Sequence, residues 1–263
     1  MPWTEPAYVA TGDVMTASQW NSQVVDNLKH IADKVGRGSG VHVGTSTDPG
    51  AGHLLVAGIV SWLGQSMAVW SSAGTYSWTV PDGVYRVRAI VTGGGGGGGG
   101  SNSLDYTGAG GGAGATAFAV FDVTPGESLT ITVGAGGAGG SSTVSGGSGQ
   151  ASRIMRASTV LVEAAPGAGG GSRQAYNSFA FGGAGGSSAT FGTGVVGFFV
   201  PGGSGVGSHD YITTITGYGG ASFWGGGSPP QPYAYTGAWG GGGGGGKNSV
   251  GRAGIGGIVV IFY

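Results

Sequence analysis

Two uninterrupted glycine tracts constrain this chain more than any other feature of its sequence. Gly93–Gly100 is a run of eight glycines and Gly240–Gly246 is a run of seven. A tract without side chains is either a flexible linker or an ordered element held by its backbone groups alone. The ordered alternative is an extended helix of the polyproline II type, which has three residues per turn and no internal hydrogen bonds.

The spacing of alanines among the glycines favours the ordered alternative. Ala135 and Ala138 lie three residues apart in Gly134–Gly140, so a three-fold helix would place both on one edge and leave two edges of glycine. Ala184 has the same setting, with two glycines on each side. Only glycine lets neighbouring backbones approach closely enough for such helices to pack. We therefore predict a packed bundle of polyglycine II-type helices.

The composition excludes several classes of protein. Of the 66 glycines, 51 lie within residues 93–246, without the strict G-X-Y period of collagen. Charged residues make up 8% of the chain and the formal net charge is −1, which gives no electrostatic basis for a nucleic-acid partner. The absence of cysteine excludes disulfides and thiolate chemistry. No run of apolar residues is long enough for a membrane-spanning helix, so we expect no membrane insertion.

The segments around the glycine tracts have the pattern of a small β-sandwich, so the predicted fold class is mainly β. Two pairs of alternating segments, each joined by a Pro- and Gly-containing turn, are typical of hairpins. These pairs are Thr75–Val80 with Val84–Thr92, and Ala115–Val123 with Ser128–Val133. We expect Tyr85, Val87, Ala89 and Val91 to share one face of their strand, opposite Arg86 and Arg88. Ser158–Glu163 is a weaker strand.

The last residues of the chain form a wholly apolar segment, Gly257–Tyr263. Such a segment predicts a central strand covered on both faces. The first and last strands of the sandwich domain therefore flank the long glycine-rich segments in the sequence. We place that domain at residues 74–263.

The N-terminal residues predict a short helix with one apolar stripe. The stripe consists of Trp20, Val24, Leu28, Ile31 and Val35, at helical spacings of four and three. The stripe needs a partner surface. It packs either on its own domain, or on another chain, which is a copy of this chain or part of a larger assembly. We favour packing on another chain and assign the stripe to oligomerisation and attachment within residues 1–40. Residues 41–73 alternate short apolar runs with turns, which is typical of a short β stem.

Aromatic, almost uncharged inserts separate the glycine tracts. If the tracts form a rigid block, the inserts are its connecting loops, and a rigid scaffold with exposed loops is the usual arrangement of a binding module. Alternatively, the aromatic residues cap the bundle, which we prefer for Phe198, Phe199 and Trp224. The candidate receptor-binding residues are Tyr106, Tyr176, Tyr211, Tyr233, Tyr235 and Trp239.

Several motifs resemble those of bacteriophage tail fibres and minor tail proteins. The run Gly74–Val84, followed by a strand and polyglycine, is similar to their glycine-rich domain, as is the ending Gly256–Val260. Trp20–Leu28 looks like the N-terminal segment of tail proteins from long-tailed phages, and Val43–Val56 is similar to the stem repeats of trimeric fibres.

This resemblance implies a homotrimeric virion protein of the phage tail. It implies attachment to other tail or baseplate proteins through the N-terminus, and recognition of a host cell-surface glycan or protein at the glycine-rich end. The alternative is a purely structural virion component, such as a tail-tip or head decoration protein.

Motifs for catalysis or for cofactors are not found. The four histidines, His30, His42, His53 and His209, lack metal-ligand spacing, and no G-x-x-x-x-G-K-[ST] phosphate loop occurs. Asp122 and Glu127 lie beside the Pro125 turn and are interpreted as structural. We therefore expect no catalytic residues, no metal, no cofactor and no enzyme activity.

Overall fold

The computed structural model describes residues 41–43, 54–56, 66–102, 106–174, 179–208, 217–232 and 237–263. The chain divides into two compact units, Met1–Gln65 and Ser66–Tyr263. In the first unit, β1 (Val41–Val43) pairs in antiparallel fashion with β2 (Leu54–Val56). The predicted N-terminal helix, with its apolar stripe of Trp20, Val24, Leu28, Ile31 and Val35, lies outside the described residues.

The second unit contains two five-stranded antiparallel sheets, which confirms the mainly β fold. Its strands are β3 (Met67–Trp70), β4 (Gly74–Thr79), β5 (Arg86–Thr92), β6 (Thr116–Asp122), β7 (Ser128–Val133), β8 (Ser152–Arg156), β9 (Thr159–Ala164), β10 (Ala189–Phe191), β11 (Val196–Val200) and β12 (Ile258–Phe262). The first sheet has the order β11-β6-β5-β12-β3, and the second sheet has the order β10-β9-β8-β7-β4. The described residues contain no helix.

The core between the sheets follows the predicted alternation of side chains. Val87, Ala89 and Val91 of β5 are buried, and Arg86 and Arg88 are exposed. Tyr85 does not share the buried face, because it precedes the first residue of β5, and it is 68% exposed. Leu129, Ile131 and Val133 of β7 are buried in the same core. Each fully buried side chain of this size contributes about 1.5–3 kcal/mol.

The terminal strand β12 has the predicted position inside a sheet. It pairs with β5 on one side and with β3 on the other. Val259 and Ile261 are fully buried in the core between the sheets, and Ile258 and Val260, which point the other way, are also buried.

The two predicted hairpins are wrong, because each turn carries the chain from one sheet to the other. β4 belongs to the second sheet and β5 to the first, and the same switch occurs between β6 and β7. The turns closed by the Val84 and Glu127 amides have Asp82 and Pro125 at their second positions, and neither residue has the positive φ that the primed turns of hairpins require there. The two turns instead bond to each other: the Gly126 amide donates to the Val80 carbonyl, and the Val80 amide donates to the Glu127 carbonyl, both at 2.9 Å.

Phe198 and Phe199 do not lie in a connecting loop. Val196–Val200 forms β11, the edge strand of the first sheet, where it pairs with β6. Phe198 stacks on Phe118 of β6 with ring centroids 4.9 Å apart. Phe198 therefore lies on the sheet and does not cap the glycine tracts.

The amide groups of Gly93–Gly100 show that this tract is a three-fold helix. Successive amides donate to three neighbouring segments in turn, and the pattern repeats every third residue. The amides of Gly93, Gly96 and Gly99 donate to Ala115, Gly112 and Ala109; those of Gly94, Gly97 and Gly100 donate to Gln150, Gly147 and Val144; those of Gly95, Gly98 and Ser101 donate to Ile255, Arg252 and Ser249. A period of three residues is that of the polyproline II-type helix.

The carbonyl groups of the same tract bond to three further segments. Gly94, Gly97 and Gly100 accept from Gly167, Gly170 and Arg173; Gly95 and Gly98 accept from Gly137 and Gly140; Gly96 and Gly99 accept from Gly243 and Gly246. Gly93–Gly100 thus has six neighbouring segments and is buried throughout. The packing satisfies the buried polar groups that a tract without side chains would otherwise leave unpaired.

We call the whole assembly the glycine bundle. It comprises residues 93–101, 107–115, 134–140, 144–150, 165–173, 180–186, 202–208, 217–221, 225–231, 240–246 and 249–257. As predicted from its spacing, Ala138 lies on an exposed edge, whereas Gly137 and Gly140 are buried. A Cβ atom on Gly97 would overlap the carbonyl group of Ala138, so the closeness of the backbones itself requires glycine there.

Candidate functional site

The glycine bundle has two ends of different character. At the sheet end, its tracts continue directly into strands such as β5 and β12. At the other end, which we call the loop end, short β-bridges join Ser101 to Arg173 and Ser249, and Thr107 to Lys247. Eight residues at ~3.1 Å each separate the two ends by roughly 20–25 Å.

Arg173 occupies the loop end with its side chain turned inward. Only 2% of the residue is exposed, and its guanidinium carbon lies 4.3 Å from the ring centroid of Tyr106. Burial lowers the pKa of Arg173 below the usual arginine value, and the Tyr106 hydroxyl partly opposes this shift. An arginine placed over an aromatic face in a partly desolvated site contributes about 1–2 kcal/mol. The pair therefore fixes where the chain re-enters the bundle at Tyr106.

A polar notch lies beside this pair. Gln231, Pro232, Lys247, Ser249 and Val250 line a cavity of about 560 Å³. Arg252 contacts one of these residues, since its Nη2 donates a 3.4 Å hydrogen bond to Oε1 of Gln231. The notch offers an amide, a hydroxyl and a cation next to two apolar side chains. This combination suits a ligand with several hydroxyl groups, with or without an acidic group near Lys247.

The carboxylates of the described residues lie in the sandwich and not at the loop end. Asp122, Glu127 and Glu163 form ion pairs with Arg86, Arg156 and Arg153 at 2.6, 2.9 and 3.4 Å, respectively. Asp122 and Glu127 thus have the structural role that their place beside the Pro125 turn indicated.

The Glu127 carboxylate is the most constrained of these acids. Burial acts to raise its pKa, but the hydrogen bonds from Arg156 and from the Thr124 amide outweigh this, so the pKa lies below the usual range. The hydrogen bond from Arg86 likewise lowers the pKa of Asp122 at the surface.

Of the six candidate receptor-binding residues, the structure describes two. Tyr106 lies at the loop end, half-buried against Arg173. Tyr176, Tyr211, Tyr233 and Tyr235 lie outside the described residues. The described residues next to them along the chain, including Gln174, Ser208 and Pro232, belong to the loop end.

Trp239 does not belong with the loop-end residues. Its ring lies 6.0 Å from that of Trp224, and Nε1 of Trp224 donates a 2.8 Å hydrogen bond to Oγ1 of Thr92, the last residue of β5. Trp239 therefore lies at the sheet end, because it immediately precedes the tract that starts there at Gly240. Trp224 lies at the base of the Gly93–Gly100 tract, as expected for a capping residue.

Sequence reasoning missed the residues of the polar notch. The sequence could have identified Lys247 as a candidate residue, since it directly follows seven glycines and is one of the few charged residues in that part of the chain. Gln231 and Ser249 could not be identified in this way, because their proximity depends on the pairing of tracts that are distant in sequence.

Within the described ranges, no group of three or more His, Asp or Glu side chains is placed to bind a metal. Nor does that part of the chain contain a helix with the length and apolarity to cross a membrane.

A known family matches most of the chain. Residues 71–263 match the family model described as the glycine-rich domain. The chain belongs to this family. The glycine-rich domain thus takes in strands β4 to β12 and the whole glycine bundle. No curated protein matched the chain. The family description names neither phages nor tail fibres, so that assignment stays a prediction.

Proposed function

We propose that this protein is a phage tail-fibre or minor tail protein that recognises the host cell surface through the loop end of its glycine bundle. Its N-terminal residues attach a homotrimer to other tail or baseplate proteins. The sequence resemblance to tail fibres supplies the biological setting. The observation that carries the proposal is the rigid bundle itself, which brings several chain connections to one end.

The physics of the bundle supports a scaffold role. Its centre has almost no side chains, and its backbone groups bond to neighbours in every direction. Such packing leaves little freedom for the tracts, while the connections between them are free to vary in sequence without disturbing the scaffold. Aromatic residues in those connections offer flat faces for sugar rings and polar edges for hydrogen bonds.

The polar notch indicates the chemistry of the ligand. The Gln231 amide both donates and accepts hydrogen bonds, the Ser249 hydroxyl does the same, and Lys247 adds a positive charge. Pro232 and Val250 provide an apolar wall. A surface glycan, including one that carries acidic groups, fits this combination, and the residues that follow Pro232 include Tyr233 and Tyr235.

Cell binding by the full-length protein tests the proposal. Because the chain has no cysteine, a Thr190→Cys variant at the exposed position of β10 allows one fluorescent label far from the loop end. We expect labelled protein to bind bacterial strains to which the parent particle adsorbs, and not to bind strains that resist adsorption. The double variants Gln231→Ala with Lys247→Ala, and Tyr233→Ala with Tyr235→Ala, should each reduce binding at least tenfold.

Tyr85→Ala is the matched control, since it removes an exposed aromatic residue of the sandwich that belongs neither to the candidate binding residues nor to the loop end. It should leave cell binding within twofold of the parent. If the labelled protein binds no adsorbing strain but is still incorporated into particles, the protein is a structural component of the virion and the proposal is wrong.

A further inference from the structure

The outer face of the first sheet is apolar across all five strands. Two cross-strand rows show this most clearly, and we call them together the apolar face. One row contains Val69, Val260, Ile90, Phe118 and Phe198; the other contains Met67, Phe262, Arg88, Val120 and Val196. Val196 is 76% exposed and Phe198 is 62% exposed. Only Arg88 carries a charge among these ten positions, and its guanidinium lies 6.0 Å from the Phe262 ring centroid.

The outer face of the second sheet is different. Its corresponding positions are mainly polar and include Thr75, Ser77, Thr130, Thr132, Arg153, Glu163 and Thr190. A sandwich that only needs to stay in solution presents polar residues on both outer faces. The asymmetry therefore points to a partner for the first sheet alone.

The apolar face is not flat but contains a groove. A groove of about 510 Å³ runs along it, with Phe118 and Phe198 on one side and Phe262 on another. With strands ~4.8 Å apart and alternate residues ~6.8 Å apart, the ten positions cover about 330 Å² in projection. The exposed Phe223, Trp239 and Val200 adjoin the face. A standard interface takes ~800 Å² from each partner, so a second copy would have to cover these adjoining side chains together with the ten positions.

We propose that the apolar face is buried against a second copy of this chain. Interfaces between identical chains are the most apolar class, whereas interfaces with other proteins resemble ordinary polar surface. The charges at the margin suit self-association, since Arg86 is already paired with Asp122 and adds no repulsion between copies.

The edge strand β11 supports the same occupant. All five of its residues are exposed, and the strand carries no charged residue. An uncharged apolar edge invites pairing with another chain unless it is covered. The contact with a second copy covers this edge together with the apolar face. This inference stands apart from the tail-fibre proposal, because it concerns the sandwich and not the loop end.

Thiol accessibility in the full-length chain tests the inference. A Val196→Cys variant carries its single thiol on the apolar face, and Thr190→Cys carries the matched control thiol on β10, the edge strand of the second sheet. Each variant is treated with a fluorescent maleimide over a dilution series, and its mass is measured by light scattering. We expect the mass to be a multiple of 25.3 kDa, with labelling of the Val196→Cys thiol at least tenfold slower than that of the control.

Three results would overturn the inference. The first is equally fast labelling of both thiols in an oligomer, which places the contact elsewhere. The second is a mass of 25.3 kDa with a reactive thiol, which leaves the face for a different protein. The third is a protected thiol at that same mass, which means that the chain covers its own face.

A second variant addresses the source of the association directly. Val196→Lys with Phe198→Lys adds charge at two exposed positions, so folding should be retained, as circular dichroism would show. We expect the association constant to fall at least tenfold, while Thr75→Lys with Thr190→Lys on the second sheet leaves it unchanged. An unaltered association constant in the first variant would also overturn the inference.

Discussion

The amide of Gly97 donates a 2.8 Å hydrogen bond to the carbonyl oxygen of Gly147, yet the two glycines differ in what surrounds them. Gly97 is buried at the centre of the bundle, and a Cβ atom there would overlap the backbone of Ala138. Gly147 is exposed, and a Cβ atom there would make only ordinary contacts with Ala138, at 3.4 Å and beyond. The space beside each Cα atom, not membership of a glycine tract, therefore decides which glycines are essential.

This difference predicts opposite outcomes for one substitution. Gly97→Ala should destabilise the protein by about 3 kcal/mol or more, because backbone atoms must move to admit the methyl group. Gly147→Ala should change the free energy of unfolding by less than about 1 kcal/mol and could raise it, since alanine restricts the unfolded chain. Denaturant unfolding followed by circular dichroism measures both. Similar losses for the two variants would contradict the packed bundle.

Thr92 links the sandwich to the base of the glycine bundle. Its buried Oγ1 accepts from Nε1 of Trp224 at 2.8 Å and lies 2.9 Å from Oγ1 of Thr116. Thr92→Val should cost about 1–3 kcal/mol, because the indole N–H loses its acceptor. Thr116→Val removes one hydroxyl but leaves that acceptor in place, so the loss should be smaller. A larger loss in the Thr116 variant would show that the indole bond contributes little.

Glu127 predicts a dependence of stability on pH. Its pKa is lower in the folded protein than in the unfolded chain, so its contribution is present above the unfolded value of about 4.3 and is lost as pH falls through the lower folded value. Glu127→Gln should therefore lower stability at pH 7 by about 1 kcal/mol, since Arg156 is partly exposed and solvent weakens the pair.

The difference between the parent and the Glu127→Gln variant should shrink as the pH falls below about 4. Thermal unfolding at a series of pH values measures it. Glu163→Gln is the control for a more exposed ion pair, since the Glu163 side chain is 32% exposed and that of Glu127 is 19% exposed. A difference that persists at the lowest pH would contradict the assignment to the Glu127 carboxylate.

The ring of Tyr106 predicts separate structural and binding effects. Tyr106→Phe keeps an aromatic face under Arg173 and should retain most of the stability. Tyr106→Leu removes that face and should cost about 1–2 kcal/mol. If the hydroxyl also contacts the ligand, Tyr106→Phe will weaken cell binding while leaving the unfolding curve nearly unchanged. Equal stability of the two variants would show that the ring does not hold Arg173.

The bundle could be predicted from the sequence because the three-residue spacing that indicates it lies within single tracts. The three-residue spacing of Ala135 and Ala138 specifies which edge faces outward, and the structure exposes Ala138 there. The wholly apolar β12 likewise carries its own evidence for burial. In both cases the pattern within one segment contains the information that fixes its environment.

Pairing between distant segments could not be predicted in the same way. The turns at Pro81 and Pro125 have the composition of hairpin turns, and only the three-dimensional arrangement shows that each joins opposite sheets. β11 does not alternate between polar and apolar residues, because it consists only of valine, phenylalanine and glycine. Its sequence therefore resembled an aromatic insert. Trp239 was grouped with the loops because sequence proximity does not reveal at which end of the bundle a connection lies.

Hydrogen exchange of the glycine amides tests the central claim most directly. Each amide of Gly93–Gly100 donates to a backbone carbonyl in a buried environment, so exchange should require opening of the bundle. We predict that peptides covering Gly93–Gly100 and Gly240–Gly246 exchange as slowly as those covering β5 and β12. Exchange at the rate of an unstructured chain, while the strands stay protected, would show that the tracts are flexible linkers and that the loop end has no rigid scaffold.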